Sequence, residues 1–173
     1  MATRDPHLIA ARLVRDAGGQ LVGRTRLQKV AYLTQLAGFA DDFRFEYRHY
    51  GPFSEDLAQG MEIASAFGDV VEEERRADWG GRYSIYRTHG AASPPDDPRA
   101  AFVRRAAQIG AIELELAATA AFLAQEEGVA DPWVETARRK PEKASQGRLD
   151  RARQEYARLR AETGDRLPLL PQA

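Results

Sequence analysis

Cysteine is absent from all 173 residues, which excludes disulfides, thiolate zinc sites, iron–sulfur clusters and cysteine nucleophiles. Long apolar runs are missing too. None approaches the roughly 20 residues that a membrane helix needs, so no membrane partner is expected. Histidine occurs only as His7, His49 and His89, in three separate segments. None has a second histidine or a carboxylate at metal-binding helical spacing, so no metal is expected. The first fifteen residues mix charge with apolar groups and lack a secretion-signal core, and the chain reads as cytoplasmic. Neither Gly18-Gly19 nor Gly80-Gly81 fits a phosphate-binding or dinucleotide loop, and no cofactor is expected. Ser54 and Thr25 are nucleophiles by type, yet both stand where a helix needs a cap. Glu113 and Glu115 lie two apart on a helix and point in different directions, as surface and edge residues. The chain therefore reads as a non-enzyme.

What is present is ordinary globular material, 43% hydrophobic and 29% charged, in a length that suits one compact unit. The net charge of −1 conceals an asymmetry. Residues 41–74 hold ten acids against Arg44 and Arg48, whereas residues 138–160 hold nine basic groups against Glu142, Asp150 and Glu155. Such runs are usually solvated faces, although the basic one could also attract an acidic partner.

The patterning predicts a mainly α (α+β) fold. Asp5-Pro6 opens a first helix that Gly18-Gly19 closes. After an extended stretch around Leu21, Thr25 and Gln28 stand in capping-box spacing before a second helix that ends at Gly38. Phe43, Phe45, Tyr47 and His49 alternate with polar residues as the apolar face of a strand, which Tyr50-Gly51-Pro52 should break. Ser54 caps a third helix with Leu57, Met61 and Ala64 inward and Gly68 at its end. Residues 70–76 and 82–88 read as a hairpin.

Helix, helix, strand, helix and hairpin make residues 1–92 a winged-helix-like module. Residues 93–165 read as a helical extension packed on it as one unit. Asp97-Pro98 begins one long helix reaching Glu127, with Phe102, Ile109, Leu116 and Leu123 as a packing spine at seven-residue spacing. A short helix over 131–139 and a last one over 145–162 follow, the latter supported by Arg151–Glu155 and Arg158–Glu162 pairs. Residues 166–173, with two prolines, are expected to fray.

Two motifs carry a resemblance. Thr25-Arg26-Leu27-Gln28-Lys29-Val30-Ala31-Tyr32-Leu33, followed by Phe45-Glu46-Tyr47-Arg48-His49-Tyr50-Gly51-Pro52-Phe53-Ser54 and Leu57, resembles the Panacea domain of SocA-type antitoxins and the related YwgA-like proteins. The match covers about residues 24–68. It implies an antitoxin-like protein that binds and neutralises a toxin-like protein made by an adjacent gene, by blocking it or by delivering it to a protease. The residues carried over are Leu27, Gln28, Lys29, Tyr32, Tyr50, Gly51 and Pro52. Leu27 and Tyr32 read physically as core and Gly51-Pro52 as a turn, while Gln28 and Lys29 read as contact groups.

The alternative is a winged-helix DNA reader using Arg24, Arg26 and Lys29, with Arg75, Arg76 and Arg82 as a basic wing. Glu72, Glu73 and Glu74 stand beside that wing, and the third helix carries Glu55, Asp56 and Glu62 without a single Lys or Arg. Protein binding is therefore placed ahead of DNA. The sequence leaves homo-oligomerisation open.

Overall fold

The computed structural model describes residues 5–172. Helix α1 (Pro6–Asp16) leads through Gly18-Gly19 to strand β1 (Gln20–Val22) and helix α2 (Arg24–Leu36). Strands β2 (Glu46–Arg48) and β3 (Gly51–Phe53) form a small hairpin before helix α3 (Glu55–Phe67), which runs into strands β4 (Val70–Arg76) and β5 (Arg82–Thr88). The remainder is helical: α4 (Pro98–Ala107), α5 (Ala111–Glu126), α6 (Pro132–Arg139), α7 (Pro141–Ala144) and α8 (Arg148–Glu162). This is a mainly helical α+β fold. The antiparallel sheet has the order β1-β5-β4, with Leu21 opposite Tyr86 and Glu73 opposite Ile85.

One hydrophobic core runs from Ala10 on α1 to Leu167 near the end of the described chain. Helix α5 lies at its centre. Every residue from Leu114 to Leu123 is buried, as expected of a helix that meets neighbours all round its circumference. Those neighbours are α2, α6, α8 and β3. No single helix among the described residues is long and apolar enough to cross a membrane; α4 and α5 pass that test only as a pair, bent by 119°.

That bend corrects the expected long helix. The chain turns at Gly110, which is the N-cap of α5. The seven-residue spacing survives the turn because Phe102, Ile109, Leu116 and Leu123 are all buried, at 0–2% exposure. The spacing recorded inwardness and not helical continuity.

Four smaller expectations also change. Thr25 does not cap α2, since the helix begins one residue earlier, after Gly23 at φ +100°. The strand expected from residue 43 narrows to β2. Phe43, Phe45 and Tyr47 still pack on the core, but His49 is exposed because it forms the turn of the hairpin. The last helix starts at Arg148, and the expected pairs are rearranged: Arg151 reaches Glu113 at 3.2 Å, Arg105 of α4 reaches both Glu155 at 3.1 Å and Glu162 at 2.5 Å, and within the helix Arg158 pairs with Glu155 at 3.3 Å.

The tail of residues 166–172 is packed instead of frayed. Leu167 is fully buried and Leu170 lies against the core. The Tyr156 hydroxyl donates to the Pro168 carbonyl at 2.6 Å, and Arg160 Nε to that of Leu167 at 2.7 Å. Burial of one leucine side chain returns roughly 1.5–3 kcal/mol, and these hydrogen bonds and the Leu170 contact add to it against the entropy of ordering the segment.

Candidate functional site

The two sequence motifs are each other's partners. The Gln28 carboxamide faces the backbone of Ser54 and satisfies it twice: Nε2 donates to the Ser54 carbonyl at 3.0 Å, and the Ser54 N–H donates to Oε1 at 2.8 Å. One turn position on, Lys29 Nζ donates to the Pro52 carbonyl at 2.7 Å. Gln28 is 4% exposed and Lys29 1%. Both were expected to be surface contacts, and both are instead buried ties that hold α2 to the β3–α3 junction. Ser54 completes the junction by capping α3, its Oγ accepting from the Leu57 N–H at 3.2 Å. A buried backbone group left without a partner costs about 1–3 kcal/mol, so the Gln28–Ser54 pair is a substantial tie.

Gly51 is required by geometry. His49 and Tyr50 make the turn, and Gly51, at φ +93°, takes the left-handed position through which such a turn rejoins its strand. The turn therefore precedes Gly51-Pro52, which form the returning strand. A Cβ on Gly51 would stand 2.5 Å from Thr119 Oγ1. That contact presses the hairpin directly on α5.

Behind the hairpin lies a charge cluster that sequence reading did not assemble. Glu115, expected at the surface, is 4% exposed. Its Oε1 accepts from Lys140 at 2.9 Å and from Lys143 at 2.8 Å, and its Oε2 from Lys143 at 2.8 Å. Lys140 also donates to the His49 carbonyl at 3.0 Å. Burial pushes the Lys29 ammonium down to about 8; Glu115 opposes that shift, and Lys140 and Lys143 add to it. One carboxylate thus pairs with two lysines and acts through space on a third, Lys29; Lys29 and Lys140 also hold hairpin carbonyls. The available signal was a lone acid inside the apolar run from Leu114 to Leu123.

In front of the hairpin is an open cleft of about 470 Å³ between the start of α2, the His49-Tyr50 turn, α3 and the β4–β5 sheet. Leu27, Phe53, Ala58, Met61 and Tyr86 supply its apolar surface. Burial pushes the Tyr86 phenol up to about 12, so it stays neutral. Arg24 stands at the mouth, 2.7 Å from Glu72 and 3.4 Å from Glu74. Arg48 pairs with Glu46 at 2.5 Å and with Glu55 at 3.5 Å, and lies 4.7 Å over the Phe53 ring. Tyr50, half-exposed, carries the Lys143 ammonium 4.7 Å over its ring.

Five of the eight expected site residues, Arg24, Gln28, Lys29, Tyr50 and Gly51, therefore line one cleft. The other three serve the framework. Arg26 is drawn inward: Nε donates to the Val22 carbonyl at 3.1 Å, and Nη1 donates to the carbonyls of Ala107, at 2.9 Å, and Ile109, at the end of α4. Desolvation lowers its pKa. Tyr32 is 5% exposed, edge-on to Phe45 at 5.3 Å, and burial raises the pKa of its phenol. Pro52 contributes its carbonyl to Lys29. Sequence reading missed Ala58 and Glu62 as cleft residues, because the stripe from Leu57 to Ala64 marks the core side of α3 and not the face beside it.

Among the described residues no group of His, Asp and Glu side chains is placed to hold a metal ion. No family model matches the chain. Over 75 residues it is 31% identical to the uncharacterized protein YwgA of Bacillus subtilis (strain 168). That match takes in 42% of this chain and 45% of the Bacillus protein, so the chain spans less than half of that relative's length. The similarity agrees with the YwgA-like part of the motif resemblance.

Proposed function

We propose that this chain is a non-enzymatic, antitoxin-like binding protein whose cleft holds a segment of a partner protein. The observation that carries the reading is the cleft itself. It has an apolar interior and a charged mouth, and it opens beside a hairpin tied down by Gln28, Lys29 and Lys140. A rigid wall of this kind limits the ordering cost of association. An apolar recess with few polar groups is the usual form of a binding site. The toxin-like identity of the partner, its origin in an adjacent gene and the cytoplasmic setting come from the motif resemblance and the sequence. Blocking or delivery to a protease are the two modes it implies.

Nothing in the geometry favours the DNA-reading alternative. Lys29 is buried, Arg26 is committed to backbone carbonyls, Arg24 is shared by two carboxylates, and the exposed face of α3 carries Glu55, Asp56 and Glu62. Duplex DNA would meet repulsion there.

The test is co-expression with the adjacent reading frame. That frame should arrest growth alone and be harmless beside this chain. Ala58→Arg, which fills the cleft from a half-buried position, should abolish the rescue while the purified variant keeps its helical circular dichroism. Rescue that survives a filled cleft would overturn the reading.

A further inference from the structure

The three-stranded sheet has one long open edge. Its order is β1-β5-β4, and β1, at the far side, has three residues and runs straight into α2. Strand β4 has seven. Where the hairpin closes, the Ala77 N–H donates to the Gly81 carbonyl at 2.7 Å. Pairing alternates along an antiparallel ladder, so Val71, Glu73 and Arg75 turn their backbone groups to β5, whereas Glu72, Glu74 and Arg76 turn theirs outward. Among the described residues no other segment supplies backbone partners for these outward groups. The side chains of the edge change sign along it: Glu72, Glu73 and Glu74 precede Arg75 and Arg76. Charge on an exposed edge ordinarily keeps a second strand away. Here an antiparallel copy of the same strand meets opposite charge.

We propose that β4 pairs with β4 of a second copy about a two-fold axis at Glu74, joining the two sheets into one. The inference stands apart from what occupies the cleft. Edge pairing of identical strands keeps like faces of the sheet together, so the axis must pass beside a residue and not between two. With the axis at Glu74, Glu72 meets the partner's Arg76, Glu73 meets the partner's Arg75, and symmetry repeats both pairs. Glu74 meets its own copy, and each already has Arg24 at 3.4 Å and Arg82 at 3.7 Å to offset the repulsion. The outward groups of Glu72, Glu74 and Arg76 then form roughly six hydrogen bonds between the copies. An axis at Glu73 would set Glu72 against the partner's Glu74. One at Arg75 would leave Glu72 and Glu73 without an arginine opposite.

The rest of the hairpin fits this arrangement. Arg76 is exposed and makes no ion pair among the described residues. The Arg75–Glu73 pair, at 2.8 Å, is exposed enough to be worth little alone and is free to be shared across the axis. Antiparallel pairing brings the tip of each hairpin to the base of the other, so Trp79, 80% exposed, comes beside the partner's Val71, 43% exposed in the single chain. Opposite residues share a face. Because Glu72 lines the cleft, the second copy adds its own Arg76 to the cleft's rim.

The test is sedimentation velocity on the full-length chain over a concentration series, with tryptophan emission read in parallel. The mass should rise to twice that of one chain, and emission should shift to the blue as Trp79 is covered; Trp133 is buried in either state. Arg75→Glu should weaken self-association at least about ten-fold, and adding Glu73→Arg, which exchanges the signs of the same pairs, should restore it. Glu74→Pro removes an outward N–H and should also leave monomer. Should that variant fail to fold by circular dichroism, Arg75→Glu and its rescue carry the test. Wild-type protein that stays monomeric at every concentration would leave the edge to water or to a foreign strand and overturn the proposal. A dimer that survives Arg75→Glu would place the interface on another face and overturn it equally.

Discussion

Helices α2 and α3 have the same length, 13 residues each, and flank the same cleft, yet they use their polar residues in opposite ways. In α2 eight residues are buried, among them Gln28 and Lys29, and the polar atoms of these two turn inward to backbone groups of the hairpin. In α3 only four residues are buried, all apolar or glycine, and the acids Glu55, Asp56 and Glu62 stay in water. A polar residue near a helix start is thus no guide to a contact surface. What decides is whether an unsatisfied main-chain group lies within its reach, as the carbonyls of Pro52 and Ser54 lie within reach of α2.

The comparison implies that substitutions behind the hairpin act on stability and those on α3 act on binding. Glu115→Ala should have the largest effect, a loss of about 3–5 kcal/mol in chemical denaturation, because it leaves buried ammonium groups without their carboxylate. Gly51→Ala should cost about 2–4 kcal/mol, combining a left-handed alanine with a clash against Thr119. In a Thr119→Ala background only the steric share should return; full recovery would show that the backbone conformation is not required.

Lys29 adds a pH signature. Its folded-state pKa of about 8 lies below its ordinary 10.5, so the native state binds fewer protons than the unfolded state between those values. The relative stability of the chain is then fully present above 10.5 and lost as pH falls through 8. Against Lys29→Met, which cannot titrate, the wild-type protein should gain roughly 1–3 kcal/mol as pH rises from 8 to 10.5. A pH-independent difference would place the ammonium in water. The smallest effect belongs to α3: Asp56→Ala and Glu62→Ala together should leave Tm within about 2 °C of wild type. A larger drop would mean that α3 also has a framework role.

Much of the fold was legible because its signals are local. Ser54 and Gly68 bracket α3 as cap and left-handed terminator, and β4 and β5 occupy the residues read as a hairpin. Asp97-Pro98 likewise opens a helix, and the short helix expected over 131–139 is α6. The candidate site was legible only in outline. The motif residues do converge, but the spacing within each motif says nothing of which side chains face the other. The buried ties of Gln28 and Lys29 to the hairpin were not visible for that reason. The buried pairing of Glu115 was not legible because its partners, Lys140 and Lys143, lie 25 and 28 residues away.

The sequence by itself determined the capped starts of α1, α3, α4 and α6, the glycine stop of α3, and the inward spine of Phe102, Ile109, Leu116 and Leu123. These follow from capping, periodicity and φ preference, all short-range effects. Only the tertiary structure decided that the Leu-Gln-Lys and Tyr-Gly-Pro segments bind each other, that two lysines gather on one glutamate with a third in its field, and that an apolar cleft opens with a charged mouth. Buried polar groups must find partners wherever the fold brings them, and that pairing depends on distances in space that no spacing along the chain encodes.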